Sequence, residues 1–195
     1  MRPEFRLFQN HKDYAHDLWS AIITKGAVVI DATCGNGHDS LALANLALTE
    51  DQGLLICIDI QSEAIENTNN LLKAHLDPGV LRNIRFYETS HATFPEQIPQ
   101  SDLIVYNLGY LPGASKDLTT KVETTLESLK NALLLLKNGG LISIMCYPGH
   151  EEGKKEETEI LDFISSLDPR VYLCCYHKII NRAAAPSLVL INKKL

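Results

Sequence analysis

The sequence has no long hydrophobic run and no cysteine pair at metal-binding spacing. Its apolar stretches are all shorter than the ~20 residues of a membrane-spanning helix, and its first ten residues contain no apolar segment typical of a secretion signal. Its five cysteines form no C-x-x-C motif, and most lie inside apolar runs, which favours structural thiols in a reducing compartment. We therefore expect a cytoplasmic protein without a membrane segment, a disulfide or a metal site.

Positive charge is also scarce. The chain has 18 Lys and Arg against 24 Asp and Glu, which gives a formal net charge of −6. This balance argues against a protein that coats nucleic acid by neutralising phosphates along its whole surface, although it leaves room for a local basic patch or for one that a dimer assembles. The 195 residues contain no internal repeat or linker, so we expect a single domain over residues 1–195.

Apolar strands alternate with amphipathic helices along the chain, which indicates a parallel α/β fold. Strands are predicted at 27–31, 54–60, 84–88, 102–108, 141–147, 171–179 and 187–193, and helices at about 10–24, 38–48, 62–75, 119–137 and 151–167. Gly139 and Gly140 are expected to end the fourth of these helices at its C-cap.

The last two strands are too close in sequence for a helical crossover, so they should be antiparallel. A mostly parallel, doubly wound sheet of seven strands that ends in an antiparallel hairpin is typical of class I methyltransferases, whose fold is Rossmann-like.

The segment VVIDATCGNGHDS joins the first strand to a helix, at the sheet edge where α/β proteins bind ligands. Gly35 and Gly37 are expected to let the backbone turn tightly and approach a ligand, with Asp31 orienting the loop. A dinucleotide fingerprint would require a third glycine where Ser40 stands. Asp59 ends the second strand and suits ribose hydroxyls in either kind of site, while simple strand-end capping remains an alternative for both aspartates.

The segment NLGYLPG follows the fourth strand with an amide and an aromatic ring. The side-chain oxygen of Asn107 and the backbone carbonyl of Leu108 are two acceptors that could hold an amine and aim its lone pair at an electrophilic methyl group. Tyr110 offers a face on which a flat base could stack. The alternative is a plain turn with Tyr110 packed in the core.

Two further turns carry polar side chains at the same edge. Ser90 and His91 lie where an adenine-contacting turn is expected, although a simple polar turn is the alternative. In CYPGHEEG, His150 could relay a proton or orient a substrate, or could be an exposed histidine at a helix start. We assign no role to His16 or to the histidines at positions 11, 75 and 177, and we expect the KKEE run at 154–157 to be a solvated helix face.

Taken together, DATCGNGHDS, NLGYLPGASKDLTTKVETT and YPGHEEG resemble, in this order and spacing, the bacterial family labelled "putative rRNA methylase", whose members methylate wobble uridines of tRNA. The resemblance runs from about Phe8 to the C-terminus. It implies an S-adenosyl-L-methionine-dependent enzyme that converts 5-aminomethyl-2-thiouridine at tRNA position 34 to 5-methylaminomethyl-2-thiouridine. It also implies a homodimer with the tRNA anticodon loop as its partner.

The resemblance assigns roles by motif. It implies that the methionine side of the cofactor is lined by Asp31, Gly35, Asn36, Gly37 and Asp39, the ribose by Asp59 and Gln61, and the adenine by Ser90 and His91. The reactive loop would comprise Asn107, Leu108, Gly109 and Tyr110, with Asn107 and Gly109 also beside the cofactor, and the rim Tyr147, Pro148, Gly149 and His150. Thr119, Thr120, Thr124 and Thr125 would contact phosphate or cap a helix.

The chain departs from the family pattern where an Asn is replaced by Ala184 and where YPGHPGG reads YPGHEEG. Both changes concern the presumed RNA-facing rim. A methyltransferase for rRNA or for a small-molecule or protein amine therefore remains an alternative. A nicotinamide-dependent oxidoreductase and a non-catalytic binding module are less favoured.

Overall fold

The computed structural model describes residues 10–109, 121–182 and 184–195, and these residues form a seven-stranded sheet covered by helices on both faces. The elements are α1 His11–Ile22, β1 Val28–Asp31, α2 His38–Ala47, β2 Leu54–Asp59, α3 Ser62–His75, α4 Pro78–Leu81, β3 Ile84–Glu88, β4 Ser101–Asn107, α5 Val122–Leu135, β5 Leu136–Cys146, α6 Glu151–Ser165, β6 Tyr172–His177 and β7 Ser187–Lys193. Among these helices, none combines the length and the apolarity that crossing a membrane would require.

The strand order is β3-β2-β1-β4-β5-β7-β6, and only β7 runs against its neighbours. The strands β3, β2, β1, β4 and β5 pair in parallel. This arrangement confirms the predicted class I methyltransferase fold with its antiparallel C-terminal hairpin. From β1 the sheet is extended first to one side, by β2 and β3, and then to the other side, by β4 and β5. A crevice for a ligand is expected at this switch point, where the parallel strands β1 and β4 end.

Helix α1 lies beside that crevice. It begins after Asn10, whose side-chain oxygen accepts a hydrogen bond from the Asp13 backbone N–H at 3.0 Å. It buries Ala15 and Trp19 against the sheet near β5 and β7 and also contacts α2. The helix therefore carries its polar residues to the edge of the sheet at which β1 and β4 end.

Two expectations about local structure were wrong. Helix α5 ends at Leu135 and β5 begins at once, so Gly139, with φ +79°, lies inside a strand and not at a helix cap. The pairing of β4 with β5 shifts register between Ser101 and Leu103, and a glycine suits such an irregularity because it tolerates positive φ.

The KKEE run is only half solvated. Lys154 and Lys155 are exposed, but Glu156 and Glu157 are each 5% exposed. The Glu156 carboxylate accepts a hydrogen bond from Thr125 at 2.6 Å, and Glu157 accepts one from Ser187. Two adjacent carboxylates on one helix are buried here because each has a hydroxyl donor on a different neighbouring element.

Candidate active site

The loop after β1 is fixed by hydrogen bonds to both neighbouring strands. The backbone N–H of Ala32 donates to β4 at 2.9 Å, and that of Cys34 donates to the Ile58 carbonyl at 3.0 Å. The Gly35 N–H donates to Asp59 Oδ2 at 3.0 Å, and Gly35 itself has a φ of +50°. The loop is therefore a preformed backbone cradle at the end of β1, where the sequence predicted a cofactor site.

Gly37 permits the close packing of two helices. Its φ of +82° favours glycine, as the predicted tight turn requires, and a Cβ added there would lie 2.8 Å from the Cα of Thr68 on α3. The missing side chain thus lets α2 pack closely on α3, and the expected close approach of Gly37 to a ligand stays a prediction. Asn36, beside it, accepts a hydrogen bond from the Asn67 side chain at 3.1 Å.

Asp31 lies beneath the loop and is 1% exposed. Its Oδ2 accepts a hydrogen bond from the Ser40 hydroxyl at 2.6 Å, and its Oδ1 accepts one from the Thr33 N–H at 3.3 Å. Burial raises the pKa of Asp31 to about 7, and the charges of Asp39 and Asp59 act in the same direction. The serine that breaks the dinucleotide fingerprint is therefore a buried partner of this aspartate.

Asp59 ends β2, and its carboxylate holds the backbone of two loops, the one after β1 and the one after β2. One carboxylate oxygen accepts from Gly35 and the other accepts from the Gln61 N–H at 3.0 Å. Each oxygen keeps a second lone pair, so Asp59 can still accept from a ribose hydroxyl. Ile60, which sequence reasoning left out, is 62% exposed and gives this end of the crevice an apolar surface.

The turn after β3 places its two predicted residues differently. The Ser90 hydroxyl accepts a hydrogen bond from the Ala92 N–H at 3.2 Å. The His91 ring packs edge-on against Tyr106, and its Nε2 is buried without a hydrogen-bond partner among the described residues. Burial lowers the pKa of His91 to about 4, so the ring is neutral at physiological pH. Contact with adenine stays a prediction for both residues.

Asn107 ends β4 beside the cradle. Its backbone N–H donates to the Thr33 hydroxyl at 2.7 Å, and its Nδ2 donates to Asp39 Oδ2 at 3.1 Å. The next residue, Leu108, has a buried side chain and donates its N–H to the Met145 carbonyl, so only its carbonyl remains for the predicted role. Gly109 follows with φ +130° next to Tyr147.

Asp39 joins Asn107 to α1. Its Oδ1 lies 2.7 Å from His16 Nε2 and 3.9 Å from the Lys12 ammonium. Burial by itself would raise the pKa of Asp39, but the hydrogen bond from His16, the charge of Lys12 and the hydrogen bond from Asn107 together lower it below the ordinary value. Asp39 is therefore an anion at neutral pH, held by partners from two other elements.

Sequence reasoning missed His16 and Lys12. They are one helical turn apart on α1, which was the available signal, but their partner Asp39 lies more than 20 residues further along the chain. A small pocket of about 10 Å³, the size of one water molecule, separates α1 from the ends of β4 and β5. It is lined by Lys12, Ala15, His16, Trp19, Asp39, Tyr106, Asn107, Ser143, Met145 and Tyr147.

The rim after β5 is built around the start of α6. His150 is the N-cap residue of this helix, and its Nδ1 accepts from the Gly153 N–H at 3.1 Å and lies 3.2 Å from Glu152. A catalytic role for His150 stays a prediction beside this capping role. A Cβ on Gly149 would lie 3.6 Å from the Ala184 carbonyl, so one departure from the family pattern, Ala184, lies beside the segment that carries the other, at Glu151 and Glu152.

The remaining predicted residues divide into two groups. Tyr110, Thr119 and Thr120 lie outside the described residues. Thr125 is fully buried on Glu156, so the expected phosphate contact is wrong for this threonine, and Thr124 donates to the Lys121 carbonyl. Within the described ranges, no group of three His, Cys, Asp or Glu side chains is arranged to hold a metal ion.

Comparison with known proteins gives consistent matches over nearly the whole chain. The family model described as "Putative rRNA methylase" matches residues 55–193. A curated relative from Arabidopsis thaliana, the chloroplastic tRNA (mnm(5)s(2)U34)-methyltransferase, is 37% identical over 188 residues, which cover 93% of this chain and 69% of the relative.

Solved structures agree with these matches. A structure from Clostridium thermocellum, described as a "putative rRNA-methylase", superposes with a TM-score of 0.89 and 31% identity, over 95% of this chain and 98% of the other. A methyltransferase structure from Streptococcus mutans in complex with SAH has a TM-score of 0.82 and 29% identity, over 96% and 99% of the two chains.

Proposed function

Because the chain belongs to the family described as putative rRNA methylase, we propose that it is an S-adenosylmethionine-dependent methyltransferase that methylates the exocyclic amine of 5-aminomethyl-2-thiouridine at position 34 of tRNA. The observation that carries this proposal is the carboxamide of Asn107, whose NH2 group is bonded to Asp39. Its oxygen is thereby turned away from Asp39 and can accept from the N–H groups of an amine, beside the Tyr147 hydroxyl, which also hydrogen-bonds to this side chain. The name of the Arabidopsis relative supports tRNA as the substrate, and the SAH complex of the Streptococcus relative supports the cofactor.

The described residues fit the cofactor. The cradle after β1 presents backbone rather than bulky side chains, and Asp59 retains acceptor capacity for ribose hydroxyls. The exposed face of Ile60 suits an aromatic base. S-Adenosylmethionine, when bound, supplies an electrophilic methyl group.

The chain's own contribution to the chemistry is orientation. The Asn107 side-chain oxygen and the Leu108 carbonyl accept hydrogen bonds from the substrate amine and direct its lone pair. Positioning of this kind lowers the barrier substantially when the nucleophile is already strong, as a neutral amine is. Trp19 and Ala15, both buried, line the pocket beside Asn107, and hydrogen bonds next to such apolar surface are stronger than hydrogen bonds in open water.

An rRNA or small-molecule amine is the alternative substrate, because the same two acceptors would hold any primary amine. The altered rim, where Glu151, Glu152 and Ala184 depart from the family pattern, is the observation that favours this alternative. Nucleoside analysis of tRNA from a strain lacking the gene separates the two. Accumulation of 5-aminomethyl-2-thiouridine supports the tRNA substrate, whereas an unchanged tRNA profile supports the alternative.

We further propose that residues 1–195 act as one domain, in the cytoplasm and as a homodimer. The sheet draws its strands from Val28 to Lys193, which supports a single unit. All five cysteines lie in the described ranges and are free thiols, as expected in a reducing compartment.

On the edge strand β6 and beyond it, Leu173 is 68% and Ile180 is 93% exposed, which suits a contact with a second copy. Sedimentation velocity would test the dimer.

The direct test is transfer of a labelled methyl group from S-adenosylmethionine into tRNA that lacks this modification. We expect label in the wobble nucleoside with the wild-type protein and a loss of at least ~100-fold in turnover for Asn107→Ala, with cofactor affinity within a few-fold. The matched control is Asn70→Ala, at an exposed position on α3, which should retain full activity. Transfer by Asn107→Ala at the wild-type rate would contradict the role of the carboxamide.

A further inference from the structure

Helix α1 contributes a histidine to a chain of three side chains that ends at the carboxamide of Asn107. His16 Nε2 lies 2.7 Å from Asp39 Oδ1, and Asp39 Oδ2 accepts from Asn107 Nδ2 at 3.1 Å. The side chains of His16 and Asp39 are 29% and 13% exposed, so this connection is only partly accessible to water. Three separate elements, α1, α2 and β4, thus meet through one carboxylate.

The chemistry of a carboxylate fixes the direction of every hydrogen bond in this chain. An ionised carboxylate can only accept, so His16 must donate from Nε2 and Asn107 must present its NH2 group. The carboxamide oxygen of Asn107 therefore faces away from Asp39. If the carboxamide turned over, its NH2 group would face the substrate amine and could donate only to the lone pair that must attack the methyl group, so it would block the reaction instead of orienting the amine.

The His16 ring is itself held in place. It packs on Trp19 with ring centroids 4.6 Å apart, and Trp19 is 3% exposed. Lys12 is less well suited to fix Asp39, because its ammonium is 3.9 Å away and its side chain is half exposed to screening solvent. Compared with Lys12, His16 lies closer to Asp39, and its ring is held in place by Trp19.

We propose that His16 is a positioning residue of the active site, which acts through Asp39 to hold the Asn107 carboxamide with its oxygen toward the methyl acceptor. The inference rests on the proposed function for the identity of that acceptor. It gives α1 a part in positioning the substrate, through the contact of His16 with Asp39 on α2.

The test compares His16→Ala with His16→Gln. A glutamine side chain can place an amide N–H near the position of His16 Nε2, whereas alanine cannot. We expect His16→Ala to lower kcat for tRNA methylation by about 10- to 100-fold with KM within a few-fold, and His16→Gln to recover most of the loss. His75→Ala is the matched control, because His75 lies exposed at the end of α3 and its Nδ1 is hydrogen-bonded to the Leu71 carbonyl of the same helix.

A second readout needs no RNA. The side-chain NH2 signal of Asn107 in an ¹⁵N correlation spectrum can be assigned by its absence in Asn107→Ala. We expect slow exchange with water in the wild type and in His16→Gln, and faster exchange in His16→Ala. This readout still decides the inference if the wild-type protein fails to methylate tRNA, which would refute the proposed function alone.

Two results would overturn the inference. One is an unchanged kcat together with an unchanged Asn107 amide signal in His16→Ala. The other is equal loss in the alanine and glutamine variants, which would show that the donor at Nε2 has no part in the effect. If His16→Ala does not fold, the exchange rate and kcat of His16→Gln relative to wild type decide the question.

Discussion

The two sides of the crevice are built in different ways. On the side of β1 and β2, the backbone N–H groups of the loop are held by hydrogen bonds, from Cys34 to the Ile58 carbonyl and from Gly35 to the Asp59 carboxylate. On the side of β5, β7 and β6, the chain presents side chains to solvent, with Tyr147 38% exposed and Tyr176 37% exposed. The first side, called the rigid side below, is a hydrogen-bonded backbone surface. The second, called the open side, is a surface of exposed side chains.

This difference matches the different demands of the two ligands of the proposed reaction, the cofactor and the RNA. A cofactor of fixed shape is bound well by a preformed backbone, because little conformational entropy is lost on binding. A nucleic acid presents phosphates and bases over a wider area, which exposed side chains can contact without a fixed loop. We therefore expect changes on the first side to alter stability and cofactor binding, and changes on the second to alter RNA binding alone.

The strongest test of the rigid side is the pH dependence conferred by Asp31. In the unfolded chain its pKa has the ordinary value of 3.8, whereas burial raises it to about 7 in the folded protein. Between these values the folded state binds the extra proton, so the free energy of unfolding should fall as pH rises from about 4 to about 7. The stabilisation is complete below the lower pKa and is lost above the higher one.

Asp31→Asn removes this titration. We expect the variant to gain stability relative to wild type as pH rises from 4 to 8, by a few kcal/mol in total, measured by urea unfolding at each pH. His91, whose pKa is lowered to about 4 by burial, gives stability the opposite pH dependence, but both proteins share it and it cancels in the difference. A difference that stays constant with pH would show that Asp31 is ionised in both states.

The next test compares a glycine from each side. Gly37→Ala would place a Cβ 2.8 Å from Thr68 Cα at a φ of +82°, and should lower the free energy of unfolding by about 1–3 kcal/mol. In Gly149→Ala the nearest atom is 3.6 Å away, so the expected change is within about 0.5 kcal/mol. Equal losses of stability in urea would remove the distinction between a packed side and an open side.

The fold and the rigid side of the site were predictable from sequence because both depend on local patterns. The alternation of strands and helices indicated the sheet, and the short connection between 179 and 187 indicated the antiparallel hairpin. Gly35, Asp59 and Asn107 were recognised because each stands at a strand end next to a distinctive turn. Parallel strands then bring these ends to one edge of the sheet.

The contacts that were missed depend on tertiary packing. His16 meets Asp39 only because α1 packs beside α2, and no spacing in the sequence records that placement. Glu156 and Glu157 look like part of a solvated charge run until Thr125 and Ser187 approach them from other elements. In both cases the partner is a polar side chain on another element, which leaves no periodic signal in the sequence.

The smallest expected effect concerns the open side. Arg182 is exposed in the connection between β6 and β7, at the edge of the sheet where the crevice lies, and a contact there with an RNA phosphate should be replaceable. We expect Arg182→Ala to weaken tRNA binding a few-fold, with cofactor affinity unchanged. The slope of log K against log salt concentration should become shallower by about one, because one phosphate contact is lost. Arg170→Ala is the matched control, because Arg170 is exposed before the other end of β6 and is paired with Asp168. Filter binding at several salt concentrations measures both variants. An equal effect of the two would indicate attraction by the overall field of the protein, and would place no RNA contact on the side of the crevice formed by β5, β7 and β6.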